Sequence, residues 1–373
     1  MNVPKLRFKE FNDEYKYRNL SDISTLIKDG THGTHENYEN GIPLLSAKDI
    51  NNNKINIPED CRKISVDDYN KIYKNYLLKK DDILLTIVGS IGRTALYKNE
   101  KVAFQRSVAA IRIDGNNNSN YIRQYIESPI IINQLNNMTN SSAQGGVYLS
   151  SLSKLNFDIP RKEEQLKVAK FLSLLDKKIE FQFKKIEDLK LFKKGLSTTI
   201  FNSLRDFEEY KLGKICNITT GKLDANAMID NGKYRFYTCA KEYSLIDKYA
   251  FDTEALLISG NGAYVGYIHY YKGKFNAYQR TYVLDNFSQN IQFIKCYLEE
   301  NLAKRINSEK KEGNTPYIVL STLSDMVIKI PSKENQIKIS NIINCHNKKI
   351  ELEENKLLKL QELKKGLMQS MFV

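Results

Sequence analysis

After Pro160 the apolar residues of the chain take up a helical spacing, and the same spacing returns after Pro331. Apolar positions recur in steps of three and four, which predicts two long helices with a heptad seam. At 1.5 Å per residue, each helix of about 40 to 45 residues would be about 60 to 65 Å long. The apolar seam positions are Leu172, Leu175, Ile179, Ile186, Leu189 and Leu196 in the first helix, and Ile343, Ile350, Leu357, Leu360 and Leu367 in the second.

The two helices belong to an internal repeat. Residues 149–201 align without a gap with residues 320–372, and 21 of the 53 aligned positions are identical. Unrelated segments would share only a few positions, so the chain is built from two copies of one module.

Neither helix can bury its apolar seam alone, and the other helix matches it in length and register. The sequence therefore predicts an antiparallel intramolecular coiled coil with a globular unit at each end. Four polar residues, Gln182, Lys193, Glu353 and Lys364, interrupt the seam. They fix the register of the pair or lie at its solvated margins, and the pattern does not choose between these two interpretations.

Short segments of strand character precede each helix, among them residues 82–88 and 108–113 in the first module and 255–259 and 264–271 in the second. The expected fold class is α+β: two mixed α/β domains with β-rich cores, separated by the two antiparallel helices. The expected boundaries are 1–158 for the first domain, 159–205 for the first helix, 206–329 for the second domain and 330–373 for the second helix.

The charge balance is basic, with 57 lysines and arginines against 44 acidic residues, a net charge of +13 and a pI near 9.2. Such a balance favours a polyanionic partner, although a generally basic surface without a ligand gives the same composition. No apolar run approaches the roughly 20 residues that cross a bilayer, and residues 1–10 lack the apolar core of a signal peptide. The five cysteines are scattered and show no metal-binding spacing. We therefore expect a cytoplasmic protein without disulfides.

The glycine-rich stretch Gly260-Asn261-Gly262 has the composition of a phosphate or adenosylmethionine loop. Such loops open a helix, whereas an aromatic run of strand character follows here. The first module has Gly89-Ser90-Ile91-Gly92 in the equivalent place, so we predict a repeated β-turn. The chain also has no P-loop motif and no Pro-Pro pair for an Asn-Pro-Pro-aromatic motif. The residues therefore offer no constellation for catalysis.

Two histidines, His32 and His35, are spaced closely enough to suggest a metal site. Because no carboxylate or cysteine accompanies them in a ligand pattern, a structural or DNA-facing role in a loop is favoured.

Both modules contain a Gln-Arg dipeptide, Gln105-Arg106 and Gln279-Arg280, at a similar distance after the glycine turn. Arginine and glutamine can make bidentate hydrogen bonds to guanine and adenine, and arginine also binds phosphate. A residue present in both copies can equally be structural, so residues in divergent loops are the better candidates for discrimination. The full set of candidate DNA contacts is Lys48, Asn51, Lys54, Arg93, Thr94, Gln105, Arg106, Gln144, Tyr148, Lys222, Asn261, Tyr264, Gln279, Arg280, Asn314 and Tyr317.

The second module is rich in tyrosine, for example at Tyr237, Tyr243 and Tyr271. Stacking on single-stranded bases is one interpretation, but packing of aromatic side chains within strands is favoured.

The order of these phrases resembles the specificity subunit of type I restriction-modification enzymes, over essentially the whole chain. The resemblance rests on residues 29–32, 41–45, 89–95 and 144–146, on the helix entrances 159–165 and 330–336, and on the exit Lys193-Lys194-Gly195-Leu196. The second module lacks the Asp-Gly-Thr-His phrase, and residues 232–236 replace Gly-Ile-Pro, which suggests that the two half-sites differ.

The resemblance implies a non-catalytic subunit whose two target-recognition domains each read half of a split site in double-stranded DNA. The paired helices would set the spacing and dock two methyltransferase subunits, and restriction subunits with translocase and nuclease activity would complete the enzyme. No cofactor is implied for this chain; S-adenosylmethionine, ATP and Mg²⁺ would belong to the partner subunits.

Two other classes stay open at this point. The chain could be a self-contained methyltransferase or nuclease, which binding of adenosylmethionine would reveal. Alternatively, it could be a scaffold whose coiled coil joins two protein-binding domains, in which case it would not bind duplex DNA.

Overall fold

The computed structural model describes residues 3–140, 145–309 and 317–373. Its contacts divide the chain into two compact units. Unit 1 comprises Met1–Gln182 and Lys356–Val373, and unit 2 comprises Phe183–Asn355. Each unit therefore contains one head of mixed structure and parts of both long helices. The boundaries predicted from the sequence treat the helices as segments of their own, and they stay a prediction.

Unit 1 begins with a head built mainly from short strands. Its strands are β1 (Lys16–Asn19), β2 (Ser24–Asp29), β3 (Ile42–Leu45), β4 (Ile50–Asn51), β5 (Lys54–Ile55), β6 (Lys63–Ile64), β7 (Ile83–Thr86), β8 (Thr94–Leu96), β9 (Ala103–Phe104), β10 (Val108–Ile113) and β11 (Asn156–Ile159). Its helices are α1 (Val66–Ile72), α2 (Ser119–Ile126), α3 (Pro129–Asn140), α4 (Leu149–Leu152) and the start of α5 (Lys162–Asn202).

The main sheet of this head has the order β2-β10-β7-β8, and all its pairings are antiparallel. Strand β7 is an apolar run that is buried on both faces of the sheet. Leu85 packs with Tyr121 and Ile122 of α2 on one face, and Leu84 packs with Phe104 and Ile50 on the other. The second face is covered by a smaller sheet of order β6-β3-β9 and by the β4–β5 hairpin.

Unit 2 repeats this plan with longer strands. Its strands are β12 (Glu208–Lys211), β13 (Asn217–Thr220), β14 (Tyr234–Tyr237), β15 (Ser244–Ile246), β16 (Phe251–Ser259), β17 (Ile268–Ala277), β18 (Thr281–Asp285) and β19 (Val327–Ile330). Its helices are α6 (Leu212–Ile215), α7 (Ile291–Glu309), α8 (Leu320–Ser324) and most of α9 (Lys333–Met371).

The strands β13-β18-β16-β17-β14-β15 form one continuous sheet in unit 2, in which β14 and β17 are parallel. Leu256 and Ile258 pack against α7, while Leu257 packs with Tyr237 on the opposite face. The sequence predicted a strand from Tyr264, but β17 begins only at Ile268. Gly266 has a φ of +83° and ends a turn there, so the strand starts after it.

The two long helices run antiparallel within each unit. In unit 1, Val168 and Leu172 of α5 share a core with Met371 and Phe372, and further along α5 Asp176 pairs with Lys364 at 2.6 Å. In unit 2, Lys185 pairs with Glu353 at 3.1 Å, and Phe192 contacts His346 with ring centroids 5.2 Å apart. The predicted fold class, two mixed heads with two long antiparallel helices, is confirmed.

All the apolar seam positions predicted from the heptad pattern are buried or half-buried. The polar seam residues are engaged rather than solvated: Glu353 is 5% exposed, and Lys193 lies 3.6 Å from Glu299 of α7. Lys364 pairs with Asp176. Glu353 and Lys364 pair with residues of α5 at defined levels of the two long helices, which favours their role in fixing the register, whereas Lys193 pairs with the head helix α7.

Candidate nucleic-acid interface

Loops at the carboxyl end of β2 and the amino end of β10 are joined by backbone hydrogen bonds in unit 1. The N–H of Gly30 donates to the carbonyl of Val108 (3.0 Å), and the N–H of Thr31 donates to that of Phe104 (2.8 Å). In return, the N–H of Arg106 donates to the carbonyl of Thr31 (3.0 Å). These main-chain hydrogen bonds therefore hold the turn that carries Arg106.

Two more loops join the same turn. The N–H of Gln105 donates to the carbonyl of Leu45 (2.8 Å), and that of Ala47 donates to the hydroxyl of Ser107 (3.0 Å). The N–H of Ile87 donates to the carbonyl of Ser107 (2.9 Å). We call this group loop cluster 1; it consists of residues 30–35, 45–48, 87–93, 105–107 and 146–148.

Unit 2 contains the same network, which we call loop cluster 2. The N–H of Tyr278 donates to the carbonyl of Tyr237 (2.9 Å), and that of Gln279 donates to the carbonyl of Leu223 (2.9 Å). Loop cluster 2 consists of residues 221–224, 237–243, 260–266, 278–280 and 317–318.

One further pair of hydrogen bonds shows how closely the clusters match. Val147 donates its N–H to the carbonyl of Ile87 (2.9 Å), and Ile318 donates its N–H to that of Gly260 (2.8 Å). Val147 and Ile318 are related by the 171-residue offset of the sequence repeat. The repeat therefore extends into the loops, where sequence identity is no longer visible.

A glycine is required at the equivalent point of both clusters. A Cβ on Gly30 would overlap the carbonyl oxygen of Phe104, and a Cβ on Gly221 would overlap that of Ala277. Neither glycine leaves room for a side chain, because each lies directly against the neighbouring backbone. The shared glycine was not identified as a repeat feature from the sequence, because the residues around it differ.

The hydrogen bonds correct the alignment of the two Gln-Arg dipeptides. The backbone N–H of Arg106 donates to Thr31, and that of Gln279 donates to Leu223, in the loop that follows the required glycine. Arg106 and Gln279 are therefore equivalent. The carbonyl of Ser107 accepts from the N–H of Ile87, and the carbonyl of Arg280 accepts from the N–H of Gly260. Ser107 and Arg280 are therefore equivalent as well. The dipeptides are one residue out of register. Their similarity in sequence does not reflect a shared structural position.

The two glycine turns each close an antiparallel hairpin, β7–β8 in unit 1 and β16–β17 in unit 2. Gly92 donates its N–H to the carbonyl of Thr86 (3.0 Å), and Gly266 does so to Ser259 (2.8 Å). The predicted repeated β-turn is confirmed, since a strand rather than a helix follows each turn.

Loop cluster 1 presents exposed cations. Lys48, Arg93 and Arg106 are exposed, Gln105 is half-buried, and Tyr148 is 52% exposed. All five are candidates from the sequence, and the structure brings them to one end of the sheet.

Three other candidates of this unit behave differently. Thr94 is 1% exposed and donates its hydroxyl to Glu127 (2.6 Å), so it is a structural residue and we withdraw it as a contact. Lys54 pairs with Glu180 of α5, and this hydrogen bond lowers the pKa of the Glu180 carboxyl. Asn51 is exposed in the same hairpin. The β4–β5 hairpin is therefore attached to α5 through Lys54.

Loop cluster 2 is also basic and aromatic at its surface. Lys222, Arg280 and Tyr317 are exposed. The ammonium of Lys241 lies 5.3 Å from the centroid of the Tyr264 ring, a cation–π contact that keeps both groups at the surface. Lys241 was missed from the sequence, because a single lysine in a loop has no distinguishing pattern.

The remaining candidates are placed as follows. Gln279 is exposed and donates from Nε2 to Asp224 (2.5 Å), and Asn261 is half-buried. Gln144 and Asn314 lie outside the described residues.

The two histidines of cluster 1 have carboxylate partners, although not in a metal-binding arrangement. His32 contacts Asp29 (2.6 Å), and His35 bridges the hydroxyl of Thr31 (2.8 Å) and Asp68 (3.4 Å). No group of three or more potential ligands gathers within residues 3–140, 145–309 and 317–373. His35 therefore braces the loop that accepts the Arg106 N–H.

Tyrosines of unit 2 enclose an arginine beside loop cluster 2. The Arg235 guanidinium lies between the rings of Tyr243 and Tyr271, 4.3 Å and 4.6 Å from their centroids. Tyr237 is buried, and burial raises the pKa of its hydroxyl. A cavity of about 490 Å³ opens beside this stack. For these residues the packing interpretation applies, since Arg235 lies against the rings of Tyr243 and Tyr271, and the Tyr237 ring packs on Phe275.

The family model for the type I restriction modification DNA specificity domain matches residues 12–191 and 205–362. The chain belongs to this family. It carries two specificity domains, as the two matches show, and each match begins in a head and extends into the long helix that follows.

Relatives and solved structures agree with this membership. A type I restriction enzyme EcoDI specificity subunit of Escherichia coli is 35% identical over 165 residues, which are 44% of this chain and 36% of that relative. The chain thus matches only about a third of that relative's length. The type I restriction enzyme MjaIX specificity subunit of Methanocaldococcus jannaschii is 24% identical over 95% of this chain and 92% of its own length.

The fold also resembles a crystal structure of a type I restriction-modification system S subunit from M. genitalium. The TM-score is 0.66 at 17% identity, and the match covers 100% of this chain and 99% of that one. No helix within the described residues is both long and apolar enough to span a membrane.

Like the heads, the long helices of this specificity-domain protein expose matching positions. Phe171, Phe181 and Leu363 of unit 1 are 39%, 70% and 52% exposed. Their counterparts in unit 2, 171 residues away, are Ile342, Leu352 and Phe192, which are 46%, 61% and 56% exposed. We call the two sets helix patch 1 and helix patch 2. The same apolar positions of the long helices are therefore exposed in both units.

Proposed function

We propose that this chain is a non-catalytic DNA-reading subunit in which loop clusters 1 and 2 each read one half of a bipartite site in double-stranded DNA. The observation that carries the proposal is the duplicated loop network, which holds exposed cations at the same end of both sheets. A protein with two such surfaces is suited to two separated contacts on one polyanion.

Each cluster supplies both kinds of contact that sequence-specific recognition needs. Lys48 and Arg93 in cluster 1, and Lys222 in cluster 2, would neutralise phosphates and hold the protein on the duplex. Polar side chains beside them would test base edges in the major groove. Because the clusters differ in nearly every exposed residue, the two half-sites should differ in sequence.

The long helices would have two roles. Helix patches 1 and 2 provide two matching apolar surfaces, which suits the docking of two identical methyltransferase subunits. The helices would also set the distance between the half-sites. Restriction subunits, as in the type I systems that the family serves, would join this assembly.

Catalysis and cofactor binding would then belong to the partner subunits. In support, the sequence has neither a P-loop nor a Pro-Pro pair, and its glycine turns close hairpins. Adenosylmethionine, ATP and Mg²⁺ would be used by the methyltransferase and restriction subunits, in the cytoplasm. The methylated base must leave the duplex stack to reach a methyltransferase, so the DNA has to remain deformable while it is read.

The direct test is to produce the chain with its methyltransferase in cells that lack other modification enzymes and to sequence the methylated bases. We expect one bipartite motif with two unlike halves. A motif that is continuous, or methylation that is independent of this chain, would contradict the proposal.

The spacing role has its own test. Four residues inserted at equivalent levels of both helices lengthen each by about 6 Å, close to two base pairs at roughly 3.4 Å each. The gap in the methylated motif should grow accordingly while both half-sites stay the same. An unchanged gap in an active complex would remove the spacing role.

A simpler measurement distinguishes this proposal from a self-contained enzyme. The purified chain should not bind adenosylmethionine in calorimetry, whereas the complex with its methyltransferase should. Saturable binding to the chain alone would favour the enzyme interpretation.

A further inference from the structure

The backbone places one exposed residue of each loop cluster in the same position. Arg106 donates its N–H to the carbonyl of Thr31 (3.0 Å), and Gln279 donates its N–H to the carbonyl of Leu223 (2.9 Å). Each follows a residue, Gln105 or Tyr278, whose N–H donates a hydrogen bond to the adjacent parallel strand. We call this the shared position. Its side chain leaves a turn that is fixed on both sides by main-chain hydrogen bonds.

The two residues at the shared position differ in a chemically specific way. An arginine can donate two hydrogen bonds to O6 and N7 of guanine, whereas a glutamine can accept from N6 and donate to N7 of adenine. These are the side-chain pairings best suited to those two bases. Two copies of one framework thus present different side chains, each able to discriminate a base pair.

The surroundings of Gln279 orient its amide group. Nε2 donates one hydrogen to Asp224 (2.5 Å), which fixes nitrogen and oxygen on known sides of the amide. Within the described residues the second N–H and Oε1 have no hydrogen-bond partner, and this pair matches the donor and acceptor that adenine requires. A carboxylate so close to the contact group would repel a phosphate, so the position is unsuited to backbone binding.

Arg106 is exposed and its guanidinium has no hydrogen bond or ion pair within the described part of the chain. The neighbouring position is different in kind. In cluster 1 it is Ser107, whose hydroxyl accepts from the N–H of Ala47 (3.0 Å) and so faces the adjacent loop. Arg280 occupies that position in cluster 2, one residue after the shared position. Because it is exposed and charged but does not lie at the shared position, we expect it to bind phosphate.

We propose that Arg106 and Gln279 are the matched specificity-determining residues of the two clusters, with Arg106 selecting a G·C pair in one half-site and Gln279 an A·T pair in the other. This inference rests on the proposed function, because it needs a DNA site read in two halves.

The test uses the full chain with its methyltransferase and compares the methylated motifs of wild type, Arg106→Gln and Gln279→Arg. Arg106→Gln should change one position of one half-site from G·C towards A·T, and Gln279→Arg should change one position of the other half-site in the opposite sense. The half-site that is not targeted should be unchanged in each case.

A second pair of variants covers loss of activity. Arg106→Lys keeps the charge but loses the bidentate fork, so discrimination at one base pair should fall by roughly 5- to 150-fold in competition binding, with little change in salt dependence. Arg280→Ala should weaken all sequences alike and reduce the salt slope by about one.

Two results would overturn the inference. One is an unchanged motif in active Arg106→Gln and Gln279→Arg complexes. The other is Arg106→Lys binding that matches wild type at every position while Arg106→Ala weakens all sequences equally. Both presuppose a wild-type bipartite motif; its absence would instead count against the proposed function.

Discussion

Gln165 accepts, through Oε1, a hydrogen bond of 2.9 Å from the backbone N–H of Asn118. Its Nε2 donates to the carbonyl of Pro160 at 2.9 Å. Gln336 makes the same two bonds, to Asn290 (3.0 Å) and Pro331 (2.9 Å). Each glutamine is 1% exposed, so one buried amide ties the first turn of a long helix to the start of the head helix in the same unit.

Replacing Gln165 by Ala should destabilise the protein by roughly 2 to 4 kcal/mol, because two buried backbone groups lose their partners. Urea denaturation followed by circular dichroism measures this change. Gln361→Ala, at an exposed position of α9, is the matched control and should change stability by less than about 0.5 kcal/mol. Equal effects of the two substitutions would mean that the hydrogen bonds of the Gln165 amide contribute nothing to stability.

This capping arrangement shows where sequence reasoning succeeds and where it stops. The repeated helix entrance is visible in the sequence, and the long helices follow from periodicity, since both are local patterns. The partner of Gln165, Asn118, lies 47 residues away at the start of α2, and no local pattern specifies such a contact.

Gly30→Ala should disturb loop cluster 1 while leaving cluster 2 intact, because the added Cβ would overlap the backbone carbonyl oxygen of Phe104. We expect a loss of about 1 to 3 kcal/mol in stability. The methylated motif should become less selective in one half-site only. Gly221→Ala should do the same for the other half-site.

Gly115→Ala is the control for this pair. Its Cβ would meet nothing within 4 Å, and its φ is not in the left-handed region. It should be neutral or slightly stabilising. If Gly30→Ala behaves like Gly115→Ala, the close approach at residue 30 is not part of the recognition surface.

Gly195 and Gly366 lie inside the long helices, where a Cβ would meet nothing within 4 Å. Gly195→Ala should therefore stabilise the isolated chain by about 0.5 to 1 kcal/mol. If a partner helix packs closely on this exposed face, near Phe192, the same change should weaken assembly with the methyltransferase severalfold. Thermal unfolding and analytical ultracentrifugation measure the two effects.

Glu187→Ala serves as the comparison for the glycine variants, since Glu187 is an exposed residue of α5 outside helix patch 2. It should leave assembly unchanged. Unchanged assembly for Gly195→Ala as well would show that no partner approaches the helix at that point.

Burial lowers the pKa of His269, whose Nε2 lies 2.9 Å from the carbonyl of Ala240. The unfolded chain takes up a proton near the ordinary value of about 6.5, whereas the folded protein does so only at lower pH. The free energy of unfolding should therefore fall as the pH drops below about 6.5. A denaturation series from pH 7.5 to 5.5 should show a steeper loss for wild type than for His269→Gln. Parallel curves would exclude His269 as the cause.

The candidate interface was predictable in outline but not in register. Exposed cations such as Lys48 and Arg106 follow from composition and loop position. By contrast, the equivalence of Arg106 with Gln279 depends on hydrogen bonds between loops that are distant in sequence. Thr94 illustrates the same limit, because its burial under Glu127 comes from a helix that the strand pattern does not reveal.

The last residues of the chain, among them Met371 and Phe372, complete the core of unit 1, while unit 2 is built entirely from residues 183–355. Translation therefore completes residues 183–355, which form unit 2, before it adds the residues that complete the core of unit 1. The head that is translated first is therefore completed last, and a chain truncated before Met371 would lose part of the core of unit 1 while keeping residues 183–355 whole.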